Sequence, residues 1–176
     1  GWTDASHEVN LPGGRVDLAI AAVRGGWSLN GFRIDPAGPP PPVTRPALAT
    51  MQAEAYSYMS GIQTGATSDV GGGLVVGWID PGDWLSYVDS PIVIPATGTY
   101  EIRYRVSSAG AGGSLRLEEA GGSVVYGSIA FPGTGGWERW TTVSHRVVLP
   151  AGARRFGIAA TAAGWNLNWF EIHRVD

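Results

Sequence analysis

The sequence predicts an all-β protein, an antiparallel sandwich or barrel, and three observations carry that expectation. Apolar residues alternate with polar ones along several short segments. Turn clusters rich in glycine separate those segments at short intervals. Glycine and proline, 27 and 12 of the 176 residues, interrupt most windows long enough for three helical turns. No G-X-Y period runs through the chain, so it is not collagen. Hydrophobic residues make up 44%, enough to build a core rather than a disordered chain.

Taken in order, the first strand candidate is 50–55, followed by 73–79, 84–88 and 91–94. In Tyr100-Glu101-Ile102-Arg103-Tyr104-Arg105-Val106 the apolar residues fall on every second position and so share one face. Ser114-Leu115-Arg116-Leu117-Glu118 repeats the pattern. Candidates at 123–130, 140–149, 154–161 and 167–174 complete the set. The clusters Gly71-Gly72-Gly73, Pro81-Gly82-Asp83, Ala111-Gly112-Gly113 and Gly133-Thr134-Gly135-Gly136 are the turns between them.

Residues 36–49 break the pattern. Pro36, Pro39, Pro40, Pro41, Pro42 and Pro46 favour extended polyproline II and read as a semi-rigid spacer. What precedes the spacer repeats the end of the chain: residues 2–34 align without a gap on 140–172, at an offset of 138. Trp2/Trp140, His7/His145, Leu11/Leu149, Ile20/Ile158, Trp27/Trp165, Asn30/Asn168 and Phe32/Phe170 are among the matches. The expected organisation is therefore a C-terminal fragment of a preceding homologous module over 1–35, a linker over 36–49, and one complete module over 50–176. Three terminal strands cannot bury a core alone, so the fragment is expected to add strands to the main module or to stay loosely ordered. It retains Ser28 in place of Asn166 and is expected to bind nothing by itself.

Charge narrows the function classes. The net charge is −3, all 12 basic residues are arginine, and they are scattered, whereas a nucleic-acid binder needs a basic patch. With no cysteine, disulfides, zinc-thiolate sites and thiol nucleophiles are excluded. No apolar run approaches the length of about 18 residues that spans a membrane, and no basic region precedes an apolar stretch as in a leader. The chain reads as a piece of something longer.

Enzyme motifs are missing: there is no G-x-S-x-G, H-E-x-x-H or P-loop. His7 and His145 are repeat mates with structural roles expected. A glycosidase would need two carboxylates across a cleft, but Asp80 and Asp83 flank a Pro-Gly turn, where such residues bond the backbone. The tryptophans say more. Trp78, Trp84, Trp137, Trp140, Trp165 and Trp169 lie in or beside glycine-rich turns, where a large ring can serve as a platform for the apolar face of a sugar. Trp140, with its mate Trp2 retained, is expected in the core. Covering one ring face contributes roughly 2 kcal/mol. Two platforms and a few hydrogen bonds give micromolar to millimolar affinity, useful when multiplied along a polymer.

MQAEAYSYMSGIQ (51–63), TSDVGGGLVVGWIDPGDWLSY (67–87), GTYEIRYRVSS (98–108), GSLRLEEAGG (113–122), GTGGWERWTTV (133–143) and AGWNLNWFEI (163–172) together resemble carbohydrate-binding module family 6. The similarity covers about residues 50–174 and is greatest to members attached to β-glucanases and xylanases. The resemblance implies a β-jelly-roll without catalytic activity, a structural calcium and up to two glycan clefts. It assigns Trp78, Trp137 and Asn166 to a loop cleft, where two rings sandwich a sugar and the amide bonds its hydroxyls. Trp84 and Glu118 fall in a second cleft on the sheet face. Strand alternation agrees that Glu118 points opposite to Leu115 and Leu117. Gln52, Glu54 and Asn168 fall at the calcium position, where many members carry more acids. Gly65 stands where relatives often carry Glu, which implies a loop cleft that is more open or one that is weaker for particular chain ends. The expected function is to target an appended glycoside hydrolase to β-glucan or xylan, as a secreted, extracellular monomer. Agarose or another marine glycan is an alternative ligand, and a glycoside hydrolase or a lectin-like adhesion sandwich is an alternative role.

Overall fold

The computed structural model describes residues 1–7, 9–11, 13–34, 46–70 and 73–175. The chain divides into two units, Gly1–Thr44 and Arg45–Asp176.

The second unit is built from strands. In chain order these are β1 (Ala49–Gln52), β2 (Tyr58–Ser60), β3 (Gln63–Ala66), β4 (Leu74–Gly77), β5 (Trp84–Ser86), β6 (Ile92–Ile94) and β7 (Gly98–Ser108). They continue with β8 (Gly112–Glu119), β9 (Val125–Pro132), β10 (Gly136–Leu149), β11 (Gly152–Arg154), β12 (Phe156–Ala162) and β13 (Asn166–Arg174). One sheet runs β10-β7-β13-β4-β3, with β1 also paired to β13. The other runs β2-β5-β12-β8-β9, and β6 and β11 form a short ribbon. All pairings are antiparallel.

The alternation in β7 has the expected result. Tyr100, Ile102, Tyr104 and Val106 are buried, while Glu101, Arg103 and Arg105 face outward. Leu115 and Leu117 of the second sheet point back at them, and both sets belong to one core cluster. Phe170 joins the sheets through edge contacts with Tyr87, centroids 5.4 Å apart, and with Phe156, 6.5 Å apart. Such pairs add to the area they bury. His145 is structural: its Nε2 lies 3.0 Å from the Tyr104 hydroxyl. Asp83 bonds the backbone as expected, accepting from the Asp80 amide at 2.8 Å.

Some boundaries differ from the sequence reading. The segment 50–55 leaves the sheet after Gln52 and becomes a 3-10 turn, Ala53–Ala55. The segment 73–79 ends at Gly77, because Trp78 adopts a left-handed φ of 56° that no strand continues. β2 and β3 show no apolar alternation and escaped notice. Ala49, placed in the linker, is the first residue of β1. Most of the linker lies outside the described residues. In the first unit, no strand forms among the described residues of 1–34, and all of them are exposed.

Candidate functional site

The loop cleft is assembled by two irregularities of one sheet and the first residue of a third strand. β4 ends on Gly77, and the left-handed turn at Trp78 throws the indole outward, leaving it 61% exposed. A non-glycine residue in that region costs on the order of 1 kcal/mol and marks a position the surroundings enforce. The register of β10 against β7 jumps from Gly136↔Ser108 to Trp140↔Ser107, so residues 137–139 bulge out of the strand. Trp137 rides on that bulge, 50% exposed. Asn166 is the first residue of β13, opposite Ser107.

Trp78, Trp137 and Asn166, three residues singled out by sequence, line one cleft of about 720 Å³ together with Gln63, Asp80 and Glu138. The volume lies within the range of ligand clefts, about 300–1,000 Å³. Ser107, fully buried, ties two of the three together. Its hydroxyl donates to the Trp137 carbonyl at 2.6 Å and accepts from Asn166 Nδ2 at 3.3 Å. Glu138 anchors the outer side of the bulge. It accepts from the Ser68 amide at 3.1 Å, the Ser68 hydroxyl at 3.0 Å and the Thr67 hydroxyl at 2.9 Å. The Ser68 amide foremost, then the two hydroxyls, hold its carboxyl below the usual range. Asp69 extends the same loop inward. Arg105 reaches its carboxylate through Nε at 2.9 Å and Nη2 at 2.6 Å, and this pairing lowers its pKa.

Glycines make room for the cleft. A Cβ on Gly77 would sit 2.5 Å from Asn166 Oδ1, and one on Gly65 would sit 3.4 Å from the Trp78 ring. The Trp78 ring therefore lies against the backbone at Gly65. Trp165 is buried beneath the cleft with Nε1 donating to the Ala162 carbonyl at 2.7 Å, and is a core residue rather than a platform. Trp140 and Trp169 are half-buried.

The second candidate face lies on the other sheet. Trp84 of β5 and Arg116 of β8 both pair with Ala159 of β12, and Ser86 and Glu118 both pair with Gly157. Strands stand about 4.8 Å apart, so Trp84 and Arg116 flank a shelf of small residues about 10 Å across. Tyr58 and Ser60 of β2 extend it beyond β5. Glu118 leaves the core face as expected, yet it is buried: Arg116 Nε donates to Oε2 at 2.7 Å, and Gly157 leaves space for its side chain. Arg116 and Tyr58 were missed in the sequence, although Arg116 shares the alternation of Glu118.

Gln52 and Glu54 lie beside β13, the strand that carries Asn168. Gln52 pairs with Trp169, next to Asn168, and the 3-10 turn carrying Glu54 packs on β13. Gln52 Oε1, Glu54 Oε2 and Asn168 Oδ1 are all buried, and the last two accept no hydrogen bond. Asn168 Nδ2 donates to Asp69 at 2.8 Å, which turns Oδ1 the other way. An unsatisfied buried oxygen costs about 1–3 kcal/mol. An all-oxygen set with one carboxylate fits a hard cation.

Comparisons with known proteins place the family and the fold. Residues 52–174 match the sequence model of carbohydrate binding module family 6. Over 176 residues, 99% of the chain, it is 39% identical to the clotting factor G alpha subunit of Tachypleus tridentatus, of which it spans 26%. It is similar in structure to a module of lichenase 5A from Cellvibrio mixtus, solved with cellotriose. The TM-score is 0.73 and the identity 55%, over 74% of this chain and 99% of that one. The C-terminal module of a marine laminarinase from Zobellia galactanivorans gives a TM-score of 0.67 at 40% identity, over 72% and 98% of the two chains. A β-1,3-glucan-binding module from Bacillus halodurans gives 0.66 at 34%, over 72% and 96%. The chain belongs to carbohydrate-binding module family 6, a non-catalytic family.

Proposed function

We propose that this module binds β-glucan chains, with Trp78, Trp137 and Asn166 of the loop cleft as the principal contacts. The observation that carries the reading is the two half-exposed indoles in one cleft with a side-chain amide held between their supporting strands. Each ring offers an apolar face to a pyranose, and the amide supplies directional bonds to hydroxyls. Support for glucan over xylan comes from three relatives above 30% identity: one was solved with cellotriose, one belongs to a laminarinase and one binds β-1,3-glucan. Trp84, Glu118 and Arg116 form a second, shallower glycan face. Calcium held by Gln52, Glu54 and Asn168 would stabilise the end of β1 and the turn after it against β13. The role is to hold an appended catalytic domain on extracellular polysaccharide, and the module acts as a monomer.

Titration calorimetry with cello-, laminari- and xylo-oligosaccharides tests this. Micromolar to millimolar binding of the glucans, lost in Trp137→Ala, is expected. Absence of heat with folded protein refutes the glucan assignment.

A further inference from the structure

The repeat between residues 2–34 and 140–172 gains a physical meaning once the second unit is seen. Leu149, Phe156, Ile158, Trp165, Leu167 and Phe170 are core residues, each exposed by 2% or less. Their counterparts Leu11, Leu18, Ile20, Trp27, Leu29 and Phe32 are 41% to 63% exposed. A single exposed apolar side chain needs no explanation, but six in the register of a sandwich core mark a surface that belongs against something. Of the strands that residues 2–34 copy, β10 is an edge strand, but the two that carry most of the copied core residues are interior. β13 lies between β7 and β4, and β12 between β5 and β8, so the copy requires neighbours on both sides. The order of tail, spacer and module also recurs in a second protein, because the match to the Tachypleus subunit runs over 99% of the chain.

We propose that residues 1–34 are the closing strand set of a second family 6 sandwich, and that their partner is a polypeptide of the kind formed by residues 49–139. This goes beyond glycan binding and does not depend on it. The pairing of β1 with β13 shows that the connection is geometrically simple. Ala49 lies opposite Ile172, and the Leu48 amide donates to the Ile172 carbonyl at 2.7 Å. Ile34 is the counterpart of Ile172, so a docked copy would end about 5 Å from Ala49, with residues 35–48 left over to close the gap. The chain thus encodes, in cis, every strand of a circularly permuted module. The completed sibling would differ in function. Asn30 and His7 keep the places of Asn168 and His145, but Ser28 replaces Asn166, so its loop cleft would lack the amide.

A chain ending at Arg139, residues 1–139, tests the proposal. It is expected to fold cooperatively with β-type circular dichroism and slowed amide exchange across residues 1–34, whereas residues 46–139 alone stay unfolded. A second measurement uses the full chain. Adding the 46–139 polypeptide is expected to slow amide exchange in residues 1–34 and to shift the emission of Trp2 and Trp27 to shorter wavelength. Protection of residues 1–34 in either experiment supports the proposal. Fast exchange there in both overturns it, whether or not the shortened chain folds. No sugar is used, so failure of glycan binding leaves the outcome readable.

Discussion

The hydroxyl of Ser107 donates to the carbonyl oxygen of Trp137 at 2.6 Å, from a position with no solvent exposure. A buried strand residue thereby fixes the backbone of an exposed platform. Ser107→Ala leaves that carbonyl short of a partner and releases Asn166 Nδ2. We expect a loss of about 1–3 kcal/mol in stability, and a drop in loop-cleft affinity as well. Calorimetry and thermal unfolding on the same sample check both. Unchanged affinity would separate the hydroxyl from the cleft.

Gly77 carries no side chain, yet it controls one. A Cβ there would meet Asn166 Oδ1 at 2.5 Å, and the amide is the flexible partner that must move. Gly77→Ala is expected to weaken oligosaccharide binding about tenfold, roughly 1.4 kcal/mol, while the fold persists. Normal affinity in a folded Gly77→Ala protein would show that Asn166 can bond its ligand from another rotamer.

His145 sets a pH dependence of stability. Burial lowers its pKa, partly opposed by the Ser128 carbonyl at 3.2 Å from Nδ1. The unfolded chain therefore takes up this proton first, near pH 6.5, an approximate unfolded value. The contribution of the neutral ring is complete above that pH and is lost as pH falls toward the native value. The midpoint of thermal unfolding should hold steady from pH 8 to 7 and fall as the pH drops below about 6.5. His145→Gln should flatten that decline, and an equally steep decline in the variant would assign it elsewhere.

The three oxygens at β13 predict a response to chelation. Removal of calcium should lower the unfolding midpoint by several degrees, since about 1 kcal/mol shifts a domain of this size by roughly 4 °C. Glu54→Gln should remove most of the difference between chelated and calcium-loaded protein. Equal midpoints with and without calcium in the parent protein would leave the buried Glu54 and Asn168 oxygens without a cation.

The sandwich was legible because β7 and β8 alternate strictly. Residues 100–106 state which side chains are inside without any tertiary information. The loop cleft was legible only through resemblance, because what builds it is not periodic. Nothing in Gly-Trp-Ile-Asp announces that Trp78 turns left-handed, and nothing in Gly-Gly-Trp-Glu-Arg-Trp marks a three-residue bulge. Glu138 and Gln63 line the cleft yet escaped notice, since a polar residue beside a turn looks the same whether it faces solvent or a ligand. Arg116 was overlooked for the opposite reason. It follows the alternation of an outward-facing strand position, and only the burial of Glu118 beside it reveals the pair. The tail was recognised as a repeat, but the sequence did not disclose that the copied positions are core.

The bulge at 137–139 has a bearing on how such modules diversify. Those residues stand outside the ladder, and pairing with β7 resumes at Trp140 as though they were not there. Substitutions or length changes within them leave the register on either side intact. Ligand preference can therefore drift between lineages while the folding instructions of the sandwich stay fixed, and a library randomised at these positions should return mostly folded proteins with altered sugar choice.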